Sequence, residues 1–161
     1  MKVYLGADHG GFKLKEILKP WLQDKGYKVE DFGASREDPG DDFVDYAFAV
    51  AAALQMNPQD RGILLCRNGV GVSVAANRFA QVRCALGFDI KQVTKARHDD
   101  NVNCLSLPAD YISKTEAEKI VEAFLKTKAS TAEKYLGRTS KLEQNDGCLG
   151  GSCCGGNCGQ C

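Results

Sequence analysis

Residues 61–78 read RGILLCRNGVGVSVAANR, and the hydrophobic period changes part-way through. Residues 62–66 form an apolar run of strand length, whereas from Val70 onward apolar side chains recur at helical spacing. Gly69 and Gly71 stand at the passage between the two. A chain that leaves a strand and enters a helix through glycines points successive N–H groups at the same space, and the helix start adds partial positive charge. Such a cradle suits an oxyanion and lowers the pKa of a nearby thiol. That thiol is Cys66, which closes the apolar run.

Working outward, the same alternation repeats along the chain. Strands are predicted at 3–5, 27–31, 62–66, 83–87 and 103–107. Between them, Phe12, Leu14, Ile17, Leu18, Trp21 and Leu22 mark one face of a helix ending near Gly26. Further helices are predicted at 43–54, 70–79, from Asp89 to about Arg97, from an N-cap at Ser113 through Leu125, and from Thr131 to about Gln144. Short strands alternating with helices imply a five-stranded parallel sheet covered on both faces, an α/β fold.

The chain has 161 residues, 43% hydrophobic and 26% charged, enough for one domain with a real core. Lys plus Arg and Asp plus Glu are 21 each, so no long-range field draws in nucleic acid or an anionic membrane. No apolar run reaches the length of a membrane span, and MKVYLGADHGG lacks the pattern of a signal peptide, which makes the cytoplasm the expected location. Eight cysteines fall into two groups. Cys66, Cys84 and Cys104 lie singly in apolar runs, while the other five crowd a glycine-rich segment, 145–161, that has no hydrophobic period. The expected division is therefore a domain over 1–144 and a flexible tail over 145–161. The tail's thiols also suit a soft metal ion, though a Cys-x2-Cys step occurs only at Cys158 and Cys161.

In an open parallel sheet the ligand crevice lies beyond the carboxyl ends of the strands. Three places draw attention on that ground. In GADHGG, residues 6–11, Asp8 and His9 set a carboxylate beside an imidazole, although an Asp here also serves as an ordinary helix cap. In 66–71, Cys66 is followed by Arg67, Asn68, Gly69, Val70 and Gly71; an isolated cysteine is ordinarily a small buried hydrophobe, and the glycine turn is what singles this one out. In 96–101, Arg97, His98, Asp99 and Asp100 offer acid and base groups within one short reach, or simply a polar loop closing a helix.

These segments, in this order, resemble the ribose-5-phosphate isomerase B family, which includes the galactose-6-phosphate isomerase subunits. The likeness covers residues 1 to about 143 and rests on GADHGGF, DFG at 31–33, DDFVDYA at 41–47, the stretch 61–78 and RHDDNVNCLSL. It implies a three-layer Rossmann-like sandwich acting without metal or other cofactor on a sugar phosphate. It also implies a homodimer or dimer of dimers with sites at the subunit interface. Cys66 would take the proton from the sugar C2 to give a cis-enediolate, the loop 67–71 would hold the enediolate oxygen, and Asp8 and His9 would bind substrate.

The departures from the family pattern are specific. Arg67 replaces a glycine, Phe43 an aromatic hydroxyl, Asp100 an asparagine and Asp110 an arginine. The family's ring-opening histidine falls on Asp99, with His98 one place earlier, so either His98 takes the role or Asp99 does with a raised pKa. Lys134 and Arg138, four residues apart, stand for the family's phosphate clamp. The resemblance thus implies an aldose-ketose isomerase of a pentose or hexose phosphate. Two other readings stay open: a silent sugar-phosphate binding protein, and a thiol-rich handle on an isomerase-like body.

Overall fold

Alternation along the strands builds the molecule. In β1 (Lys2–Ala7) and β3 (Arg61–Cys66), Val3, Leu5, Ile63 and Leu65 point to one face of the sheet, while Tyr4, Leu64 and Cys66 point to the other. Both faces are apolar, as a sheet buried on both sides requires. The computed structural model describes residues 1–144. The segment 145–161, with the tail and metal readings attached to it, lies outside the described residues.

The remaining elements are α1 (Phe12–Asp24), β2 (Lys28–Asp31), α2 (Phe43–Met56), α3 (Val70–Ala76), β4 (Cys84–Leu86), α4 (Ile90–Asp100), β5 (Cys104–Pro108), α5 (Lys114–Lys126) and α6 (Glu133–Glu143). All strand pairs are parallel, in the order β2-β1-β3-β5-β4. Leu18 and Leu22 of α1, Val93 of α4 and Ile120 and Phe124 of α5 cover one face. Val50 and Leu54 of α2 and Val72 and Ala75 of α3 cover the other. Each fully buried Leu, Ile or Phe contributes about 1.5–3 kcal/mol, so the two layers supply the main driving force. This is the three-layer α/β sandwich with five parallel strands that the sequence predicts.

The differences from expectation have local causes. On α1 the predicted apolar Ile17 is 37% exposed, while Lys15 is 1% exposed. Lys15 is held because its Nζ donates to Asp31 Oδ2 at 2.7 Å and to the Ala34 carbonyl at 2.9 Å, tying α1 to β2. Helix α3 stops at Ala76 rather than 79, because Asn77 turns its amide onto the backbone of Cys84, accepting from the N–H and donating to the carbonyl at 2.8 Å each. Arg83 stays outside β4 because its N–H is taken by the Asn103 side chain at 2.8 Å. Helix α4 runs on past Arg97 to Asp100, ending where Asn101 adopts a left-handed conformation with φ of 51°. The segment 96–100, expected as a loop, is therefore the last turn of a helix.

Candidate active site

The chain steps from β1 to β2 on one side and places β3 on the other, so the strand order switches between β1 and β3. The loops leaving those two strands diverge and open a crevice between them. Ala7 ends β1 and Cys66 ends β3. Asp8, His9 and the loop 67–71 therefore meet at one edge of the sheet.

The Cys66 side chain is 6% exposed, and its Sγ accepts the Gly69 N–H at 3.2 Å. Asn68 Oδ1 lies 3.8 Å from the same sulfur and accepts the Val70 N–H at 3.0 Å. Gly69 makes this geometry possible: its φ is 73°, and a Cβ there would fall 2.5 Å from Leu86 Cδ1. The Ser106 hydroxyl fixes the turn from below by donating to the Gly69 carbonyl. Val70 is exposed at the crevice rim, and Gly71 packs against the Phe43 ring.

Across the crevice Asp8 is 6% exposed, and its Oδ1 caps the turn into α1 by accepting the Gly11 N–H at 3.0 Å. His9 Nδ1 lies 2.6 Å from Asp41 Oδ1, which also accepts the His9 N–H at 3.1 Å. The second oxygen of Asp41 is buried without a partner among the described residues. Burial first, and then the Asp41 charge, raises the pKa of the Tyr46 phenol. Asp41 and Tyr46 are site residues that sequence reasoning missed; the motif DDFVDYA contained both, but nothing in it says which acid reaches His9. Arg67 is exposed, and its Nη1 lies 3.6 Å from Asp110 Oδ2. Two of the positions that depart from the family pattern thus face each other, in a pair worth at most about 1 kcal/mol at this exposure.

His98, Asp99, Lys134 and Arg138 are not in this crevice. Helix α4 feeds into the start of β5, where Cys104 pairs with Gly62, while Cys66 pairs with Pro108 at the other end of the same ladder. Four strand steps of about 3.3 Å separate those levels, so within one subunit His98 lies at the opposite edge of the sheet, roughly 13 Å or more from Cys66. There a second cluster forms. His98 Nδ1 lies 2.6 Å from Asp99 Oδ1, and the His98 ring meets the Tyr135 ring edge-on at 5.7 Å. Lys134 Nζ and the Arg138 guanidinium lie 5.6 and 5.8 Å from the same Tyr135 ring. The hydrogen bond from His98, followed by the charges of Lys95, His98 and Arg138, holds the Asp99 carboxyl below its usual range. A raised pKa at Asp99 is thus not what one subunit provides. Asp100 closes α4 exposed to solvent.

A buried thiol over a turn of backbone N–H groups, at the switch point of a parallel sheet, defines an α/β enzyme site for a small substrate that develops negative charge. The chain matches the ribose/galactose isomerase family over residues 3–142. It is 40% identical over 123 residues to the probable ribose-5-phosphate isomerase B of Mycoplasma pneumoniae, covering 76% of this chain and 81% of that one. It is 34% identical over 144 residues to ribose-5-phosphate isomerase B of Mycobacterium tuberculosis, covering 89% of each. Among solved structures, the Thermotoga maritima ribose 5-phosphate isomerase superposes with a TM-score of 0.84 at 38% identity, over 89% of this chain and 97% of that one. The Mycoplasma genitalium enzyme, determined with bound ribulose 5-phosphate, gives 0.86 at 36% identity over 89% and 94%. The chain belongs to the ribose/galactose isomerase family and is a sugar-phosphate aldose-ketose isomerase.

Proposed function

We propose that the substrate pair is ribose 5-phosphate and ribulose 5-phosphate, and that Cys66 is the base. The observation that carries this reading is the Gly69 N–H resting on the Cys66 sulfur at 3.2 Å in the turn that leads into α3. The sulfur takes the proton from C2, and the electron pair moves into the C1–C2 bond. The carbonyl oxygen becomes an enediolate oxygen held by the loop 67–71, stabilised only when its charge develops. The proton of the C2 hydroxyl passes to the oxygen on C1, the O2 electron pair forms the new carbonyl, the sulfur returns its proton to C1, and the sugar leaves as the ketose.

Sugar phosphates arrive largely as rings, so an acid must first open them. His98 suits this role, because a histidine shuttles protons near neutrality and the ion pair with Asp99 orients it. Lys134 and Arg138 lie beside it on α6, within reach of a phosphate. Since the two clusters occupy opposite edges of one subunit, each complete site takes Cys66, Asp8, His9 and the loop 67–71 from one copy. His98, Asp99, Asp100, Lys134 and Arg138 come from the partner copy of a homodimer. Phe48, Val70 and Val74, 41%, 48% and 62% exposed, give α2 and α3 an apolar surface for such a partner. Free thiols at Cys66, Cys84 and Cys104 fit a reducing compartment such as the cytoplasm.

The test is solvent-deuterium incorporation. Protein incubated with ribose 5-phosphate in heavy water exchanges the C2 hydrogen, and Cys66→Ala does not. Saturable binding without exchange, across pentose and hexose phosphates, would leave a binding protein instead of an isomerase of these sugars.

A further inference from the structure

Three arginines converge at the edge of the sheet where the strands begin. Arg61 opens β3, Arg83 precedes β4, and Arg97 lies in the last turn of α4. With Gln59, Asn101 and Glu143 they line a cavity of about 290 Å³. Three guanidiniums there face one carboxylate, and Glu143 is committed to Arg83 Nη1 at 2.9 Å. Asp60 adjoins Arg61 and its charge supports that cation, while its two oxygens accept the Lys2 N–H at 2.7 Å and the Tyr4 hydroxyl at 2.9 Å.

The other contacts of these arginines are neutral. Arg61 Nη1 donates to the carbonyls of Gln59 and Asp60 at 3.0 and 2.8 Å. Arg97 Nη1 donates to the Asn101 side chain at 2.5 Å and to the Val102 carbonyl at 3.0 Å. Arg97 is only 5% exposed, and the Nε atoms of both Arg61 and Arg97 are buried with no partner among the described residues. Carbonyl oxygens satisfy donors but do not cancel charge, so the guanidiniums repel one another across the cavity. Burial, and then these two neighbours, pull Arg97 down to about 10.

We propose that this cavity is a second anion site, built for a dianionic oxyanion of the phosphate-monoester class. Within one subunit it lies away from the Cys66 crevice, since Arg61 and Cys66 are the two ends of one strand, about 16 Å apart, and its lining includes none of His98, Asp99, Lys134 or Arg138. The chemistry fits: forked N–H donors at Arg61 and Arg97 suit the paired oxygens of a phosphate, and an anion removes the repulsion that the cavity otherwise carries. A neighbouring cleft of about 1000 Å³ shares Gln81, Arg83 and Glu143 and adds Asn77, Arg78 and Phe79. It offers space for the organic part of a monoester beyond the phosphate.

The experiment is calorimetric titration of the full chain with inorganic phosphate and, separately, with adenosine monophosphate. A Lys134→Ala, Arg138→Ala double variant serves as the parent, so that the clamp of the proposed active site does not contribute. Saturable binding to this parent is expected, weakened roughly tenfold or more by Arg61→Gln and kept within a few-fold by Arg61→Lys. Tighter binding of the nucleotide assigns the large cleft to the organic part, and equal or weaker binding makes free phosphate the ligand. Absence of phosphate binding to the parent, or binding indifferent to Arg61→Gln, would overturn the proposal.

Discussion

A thiol acts as a base near neutrality only in its ionised fraction, and Cys66 is the thiol that the crevice presents, held by the Gly69 N–H. Cys66→Ala should therefore lower kcat by about 10³-fold or more while substrate still binds, as isothermal titration would show. Cys66→Ser keeps the shape but places an alcohol in the role, so it should remain close to the alanine variant in rate. The roles of His98 and Asp99 separate in the same way. Asp99 is held ionised by its hydrogen bond from His98 and by the cations around it, which is why the proposed mechanism takes the imidazole as the proton donor. His98→Asn should cost about 10²-fold or more in kcat on ring-closed substrate. Asp99→Asn should keep most of kcat, and a result in which Asp99→Asn is the more damaging of the two would reverse the assignment.

Two elements carry the site, and each depends on a side chain or glycine that hydrophobic pattern does not weigh. The β3–α3 turn requires a left-handed residue at Gly69. Gly69→Ala adds about 1–2 kcal/mol of backbone strain and forces Leu86 aside, so both stability and kcat/KM should fall together. At α1, Asp31 is ionised against the cost of burial, because Lys15, Lys19 and the Gly33 N–H hold its pKa below the usual range. Its contribution is fully present above the unfolded carboxylate value near 3.9 and disappears as pH falls through the lower folded value. Asp31→Asn should cost about 1.5–3 kcal/mol at neutral pH, since Lys15 stays buried with Glu16, 2.8 Å away, as its remaining carboxylate, and should flatten the stability profile below about pH 4 in urea titrations. β1 and β3 were legible because their residues are apolar on both faces, and the Gly69 turn because glycines interrupt a change of period. Lys15 was not legible: on a helix a lysine between Leu14 and Leu18 reads as solvent-facing until Asp31 is known to stand opposite it.

At the scale of the whole molecule, the candidate residues of one chain fall into two clusters, which the proposed homodimer would join as half-sites. Asp8, His9 and Cys66 meet because each follows a strand, and parallel strands end at a common edge. His98 precedes β5, so the same rule sends it to the other edge, yet its local sequence of adjacent acids and imidazole looks no different from a loop beside the base. Period reading stopped the helix at Arg97 because His98, Asp99 and Asp100 are all polar, whereas the chain simply continues along an exposed helical turn. Separation of the half-sites has a consequence that single-subunit chemistry cannot imitate. Cys66→Ala lacks the base but keeps His98, and His98→Asn lacks the acid but keeps Cys66. In a mixed dimer one of the two composite sites combines the intact half of each variant, while the other combines both defects. Two nearly inactive proteins, unfolded together and refolded at equal concentration, should therefore recover about a quarter of wild-type activity, because random pairing makes half the dimers mixed and each has one working site. Activity that stays at the level of the separate variants, with mixed dimers confirmed by native mass spectrometry, would place acid and base in one subunit and overturn the composite site.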